Sequence, residues 1–180
     1  MIQPETYHFS DDGRFPNSVL PLLVYRSALL ADAASIKGAF QANGWSNSWR
    51  DGIFSYHHFH SIAHEVLGIA AGAVDVAFGG PGGRTVKVQA GDVVVIPAGV
   101  SHRNMGQTGD LLVIGAYPGG ADYDTRRGDP CEHDQMLRNI AAVNLPPCDP
   151  VSGRDGSLRS LWTNASRKAG SVSQLGERSG

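Results

Sequence analysis

The stretch Ser55–Gly68, SYHHFHSIAHEVLG, holds His57, His58, His60 and His64 and then Glu65, in a chain with 7 histidines in all. Imidazole nitrogens and carboxylate oxygens together suit divalent transition metals, and the same groups carry protons near neutral pH. Spacing sorts these five side chains. On a strand, residues i and i+2 share a face and lie about 7 Å apart along it. His58 and His60 would then share a face with Phe54 and Tyr56, while His57 and Phe59 point the other way. Two imidazoles so placed can converge on one ion. Glu65 is placed to add a third ligand from the next strand, after a short turn. A fourth must come from elsewhere, and His102 follows the turn PAGVS. His57 and His64 each neighbour a ligand and are out of phase with it, so an outward-facing or supporting role is expected for both.

The elements that must position these groups follow from the hydrophobic pattern. Ser18–Leu29 reads as a strand leaving the turn DDGRFPN, and Ala31–Gly44 as a helix with Ala33, Ile36 and Phe40 on one face and Gly44 as its stop. From Trp49 onward, IFSYHHFH, HEVLGIAAGAVDVAFG, RTVKVQAGD, VVVIPAG, SHRNMG and DLLVIGAYP are short apolar or alternating segments between turns, which is an all-β rhythm. GGPGG (Gly79–Gly83) precedes RTVKV rather than a helix, so it reads as a hairpin turn and not a phosphate cradle. A second helix starts at Asp129-Pro130 with Met136, Leu137, Ile140 and Ala141 as its apolar face. An irregular arm anchored by Leu161 and Trp162 follows, then a small-residue tail.

Composition narrows the function classes. Hydrophobic residues are 41% and charged residues 18%, a folding composition, and the net charge is -2. No basic field exists to grip nucleic acid. The apolar runs are strand-sized and too short for a bilayer, and the N-terminus lacks a signal-peptide pattern. A cytoplasmic protein with reduced Cys131 and Cys148 is expected.

The histidine spacing resembles the cupins. Their first motif, G-x5-H-x-H-x4-E-x6-G, maps onto Gly52, His58, His60, Glu65 and Gly72 without a gap, and the second onto Gly91, Pro97, Gly99 and His102. The motif's final Asn is displaced: Asn104 lies two residues after His102, and Gly106 stands at the expected place. NGWSNSWRDGIFSYHHFHSIAHEVLG, the DDGRFPN start and the arm DPVSGRDGSL are similar to the YjlB-like subgroup, a likeness reaching to about Trp162. The resemblance implies an all-β double-stranded β-helix, a jelly-roll barrel with flanking N-terminal and C-terminal helices. Residues 1–50 would be a strand and helix extension, 51–120 the barrel core, 121–162 a helix and arm, and 163–180 a flexible tail. It implies a homodimer, and a divalent metal (Mn, Fe, Ni, Co, Zn or Cu) on His58, His60, Glu65 and His102. A rival frame, His60 and His64 as a helical H-x3-H pair, resembles a zinc-protease element only loosely, because Glu65 falls outside the H-E-x-x-H order.

Three neutral imidazoles and one carboxylate leave a divalent ion with a net charge of about +1. An octahedral ion would keep two positions open for water, dioxygen or a bidentate anion. The expected function is a metal-dependent enzyme of the dioxygenase or isomerase/decarboxylase type, acting on a small polar or anionic metabolite. Tyr56, Arg103 and Asn104 are its candidate catalytic residues, and Arg50 and Arg103 candidate carboxylate holders. Trp45, Trp49 and Phe54 are read as core or pocket residues, and His8 and His133 as exposed and unpartnered. The alternatives are a non-catalytic binding or sensing protein, and a metal-free structural barrel. No helix-turn-helix is visible in residues 1–50, which argues against a transcription factor.

Overall fold

Short strands set off by glycine and proline turns dominate the chain from residue 45 to 118. The structure is a computed structural model and describes residues 2–176. The strands are β1 Glu5–Phe9, β2 Ser18–Tyr25, β3 Trp45–Asp51, β4 Glu65–Ala71, β5 Ala73–Phe78, β6 Arg84–Gln89, β7 Val93–Ile96, β8 His102–Gln107 and β9 Leu112–Pro118. The helices are α1 Ala33–Ala42, α2 His133–Ala141 after a 3-10 turn at Pro130–Glu132, and α3 Ser157–Gly176. No helix among the described residues is long and apolar enough to cross a membrane.

The expected closed barrel does not form. The fold is mixed α/β, with two separate antiparallel sheets ordered β1-β2-β7-β4-β9-β3 and β6-β5-β8. No ladder joins the two sheets among the described residues, and the isolated bridge between His58 and His102 ties the chain after β3 to the smaller sheet without extending either. Short alternating strands satisfy an open pair of layers as well as a closed one, because each face needs only an apolar layer opposite it. Closure depends on ladders across the seam, which side-chain pattern does not encode.

Parity shows how the larger sheet is covered on both sides. Leu22, Val24, Leu67, Ile69, Val94, Ile96 and Val113 pack with Val74, Val76, Phe78, Val86 and Val88 of the smaller sheet. Their neighbours Leu23, Tyr25, Val66, Val93, Val95, Ile114 and Ala116 face outward onto Ile36 and Phe40 of α1 and Leu158 and Trp162 of α3. A strand buried on both faces reads as a continuous apolar run, which explains VVVI in β7. The Asp32 carboxylate caps α1 by accepting from Ser35 N–H at 2.8 Å. Gly44, at φ +80°, ends it as expected.

Two expected elements differ. Residues 52–64 form no regular strand, only isolated bridges at His58 and Phe59. The expected tail is helical through residue 176, and residues 177–180 lie outside the described residues. Trp162 does anchor the C-terminal part: it is fully buried and donates to the Pro21 carbonyl at 2.9 Å. Full burial of such a side chain contributes about 1.5–3 kcal/mol.

Candidate metal centre

The site lies where the two sheets meet at one end. Glu65 opens β4 in the larger sheet and His102 opens β8 in the smaller one. The segment carrying His58 and His60 is stitched between them by backbone hydrogen bonds. His58 and His102 exchange two, at 3.2 and 2.9 Å, and Phe59 and Arg126 exchange two, at 3.0 and 2.9 Å. The His60 carbonyl accepts from Gly99 N–H at 2.8 Å. These bonds hold an extended backbone without a strand ladder, so the alternation read from the sequence survives locally.

His58, His60 and His102 are buried, and one nitrogen of each lies within 4.8 Å of the others. Each ring is oriented by a backbone carbonyl at Nδ1: Tyr56 for His58 at 3.1 Å, Asp124 for His60, and Val100 for His102 at 3.3 Å. A carbonyl only accepts, so Nδ1 carries the proton and the neutral ring presents its lone pair at Nε2. Glu65 Oε2 lies 3.2 Å from His60 Nε2 and 3.3 Å from His102 Nε2. It nevertheless has no hydrogen bond among the described residues. Lone pairs facing a buried carboxylate oxygen without a hydrogen bond repel, unless a proton or a metal ion lies among them. Three nitrogens and one unpaired oxygen therefore fit a divalent transition metal.

Charge is divided unevenly within the cluster. Burial, then the neighbouring His102 and His60, pushes His58 down to about 3. Burial opposes a charge on His60 too, but the facing Glu65 outweighs it and holds His60 above its ordinary value. Burial raises the Glu65 carboxyl, yet His60 and His102 hold it well below the usual range. Glu65 Oε1 accepts from the Tyr117 hydroxyl at 2.8 Å, and that hydroxyl accepts from Trp49 Nε1 at 2.9 Å. Burial and Glu65 push the Tyr117 phenol up, so it remains a donor. Room for Trp49 comes from Gly115, where any Cβ would run into the indole.

An open cavity of about 630 Å³ reaches the cluster, with His58, His60, Glu65 and His102 in its wall. Trp49, Arg50 and Phe54 also line it, whereas Trp45 is core and donates to the Cys148 carbonyl. The three candidate catalytic residues are not among its lining. Tyr56 sits behind Phe54, under the Arg127 guanidinium at 3.9 Å. Asn104 donates to Gln107, which does line the cavity. Arg103 is half-buried, and its Nε lacks a partner among the described residues. His57 turns away from the cluster toward Phe15 and the Ser101 hydroxyl, 3.3 Å away. His64 accepts from Ala98 N–H at 2.9 Å and packs on Trp162. His8 is exposed, but His133 pairs with Asp11 at 2.8 Å. Cys131 and Cys148 are free.

Sequence reasoning missed Tyr117, Tyr123 and Asp124. Tyr117 shares strand parity with Val113, which faces the smaller sheet, and that signal was available. Asp124 acts through its carbonyl, which no residue type reports.

Residues 50–117 match the family model described as Cupin. The chain is also 42% identical over 161 residues to uncharacterized protein YjlB of Bacillus subtilis (strain 168), covering 89% of this chain and 97% of the relative. This chain is a cupin. Among solved structures, acireductone dioxygenase from Bacillus anthracis with a cadmium ion in its active center is 18% identical over 51% of this cupin and 61% of that chain, at a TM-score of 0.38. A point mutant of Bacillus subtilis oxalate decarboxylase OxdC is 20% identical over 60% of this cupin and 28% of that chain, also at a TM-score of 0.38.

Proposed function

We propose that this cupin is a metal-dependent enzyme acting on a small polar or anionic metabolite, of the dioxygenase or isomerase/decarboxylase type. His58, His60, Glu65 and His102 would hold the ion. The observation that carries this reading is the Glu65 oxygen left without a hydrogen bond beside imidazoles whose Nδ1 atoms are already occupied by carbonyls. A bound divalent metal would supply Lewis acidity or, if redox-active, one-electron chemistry. The chain's own residues supply the rest. Tyr117 and Trp49 fix the carboxylate. The carbonyls of Tyr56, Val100 and Asp124 fix the rings, and the cavity lets a small molecule reach them. We further propose a cytoplasmic homodimer, as expected of a chain of this composition that resembles the cupins.

Elemental analysis of untagged protein should find about one transition-metal ion per chain, as one such ligand set holds one ion. His60→Ala should lose both the metal and any turnover. Full metal retention in that variant sinks the ligand assignment. Metal binding with ligand stabilisation but no turnover of any offered metabolite would favour a sensing role instead.

A further inference from the structure

The cavity is larger than a chelating head alone requires. At about 630 Å³ it falls within the roughly 300–1,000 Å³ that accommodates a whole small molecule. Its polar end is the histidine cluster, and two stacked aromatic pairs flank that cluster. Phe54 stacks on Tyr56 with centroids 4.9 Å apart and planes 11° apart, and meets His58 edge-on at 5.1 Å. Tyr117 and Tyr123 stack at 4.4 Å and 14°, and both meet His60 edge-on, at 6.0 and 5.1 Å.

Each pair is backed on one side and open on the other. Arg127 lies over the Tyr56 ring and Tyr117 is buried. Phe54 and Tyr123 remain 53% and 44% exposed, and both line the cavity. Two aromatic surfaces left in water beside a polar cluster are an unmet hydrophobic driving force. Arg50 is the cation of the lining and has no ion pair among the described residues. Asp51, next to it, accepts from Gly52 N–H.

We propose that the site takes an anion with a planar aromatic body, its anionic head at the histidine cluster and its ring against Phe54 and Tyr123. This rests on the metal reading above and assigns Phe54 and Tyr123 as specificity residues. The test uses two 2-oxo acids that share a head, phenylpyruvate and pyruvate. Each is titrated calorimetrically into metal-loaded wild type, Phe54→Ala and Tyr123→Ala, with the metal content of every sample measured. Both changes are at exposed side chains, so folding is not at stake. Wild type should bind phenylpyruvate at least about tenfold more tightly than pyruvate. Each variant should lose about threefold to tenfold of that preference, the scale of one aromatic contact. The readout is the ratio of the two affinities at matched metal content, so a variant that also weakens pyruvate binding still reports on the ring. Metal-bound wild type that binds the two acids equally, or binds neither, overturns this inference alone. So does a preference that survives both substitutions. Wild type that takes up no metal overturns the metal reading, and this inference with it.

Discussion

Replacing Tyr117 with Phe removes one oxygen and leaves the ring that packs on Tyr123. That oxygen donates to Glu65 Oε1 at 2.8 Å and accepts from Trp49 Nε1 at 2.9 Å. A hydrogen bond to a buried carboxylate is worth about 1.5–3 kcal/mol, and the stranded indole N–H adds about 0.5–1 kcal/mol because Trp49 is only half-buried. Metal-free Tyr117→Phe should therefore unfold about 2–4 kcal/mol more easily than wild type, read from urea denaturation after chelation. A carboxylate tethered at Oε1 presents Oε2 to the histidines, and untethered it can rotate away. Metal affinity should accordingly fall about 10–100-fold, the usual effect of losing a partner that orients a ligand, as measured by competition with a chromogenic chelator. Trp49→Phe should cause a smaller loss, and the double variant should fall short of the sum because the bonds share one oxygen. If Tyr117→Phe loses stability but keeps its metal affinity within about twofold, the hydroxyl is structural only and the positioning argument fails.

Three further outcomes are expected. The Asp124 carboxylate accepts from Ser61 N–H at 2.6 Å and from Arg126 Nε at 2.8 Å, which holds the carbonyl that orients His60; Asp124→Ala should weaken metal binding about tenfold in the same competition assay, and unchanged affinity would rule out that chain of support. Gly99 sits at φ +94° with its Cβ position blocked by the Asn17 carbonyl, whereas a Cβ at Gly52 would meet only the Gln107 amide oxygen, at 3.9 Å, so Gly99→Ala should cost about 2 kcal/mol or more and Gly52→Ala under about 0.5 kcal/mol by denaturant melts. Burial pushes His64 down to about 4. The unfolded chain then binds a proton that the folded chain refuses as pH falls below about 6.5. Stability should drop between there and pH 4, by at most about 3 kcal/mol from this group. His64→Gln should flatten that slope in metal-free protein, and an identical slope would show that His64 is not its source.

Two features of β4 and β9 show how far strand parity carries. Alternation places Glu65 on the face shared by Leu67 and Ile69, and Tyr117 on the face shared by Val113, both toward the smaller sheet. His58 and His60 do converge, with ring centroids 5.9 Å apart, although their segment is not a ladder strand. Extended backbone alternates whether or not it is paired. Parity does not settle Asn104, because its placement depends on which neighbour its amide reaches, and that neighbour is Gln107.

The sequence by itself determined the family and the set of groups converging on the site, since motif spacing along one chain is local information. It did not determine whether the sheets close, because edge pairing is a relation between distant backbones. Nor did it reveal the carbonyls of Tyr56, Val100 and Asp124 that direct the imidazoles, or the Tyr117 tether on Glu65. Backbone carbonyls are common to every residue type, so only the tertiary structure decides which of them faces a histidine. That choice turns the Nε2 atoms of His60 and His102 toward the Glu65 carboxylate and brings three imidazoles together at one end of the cavity.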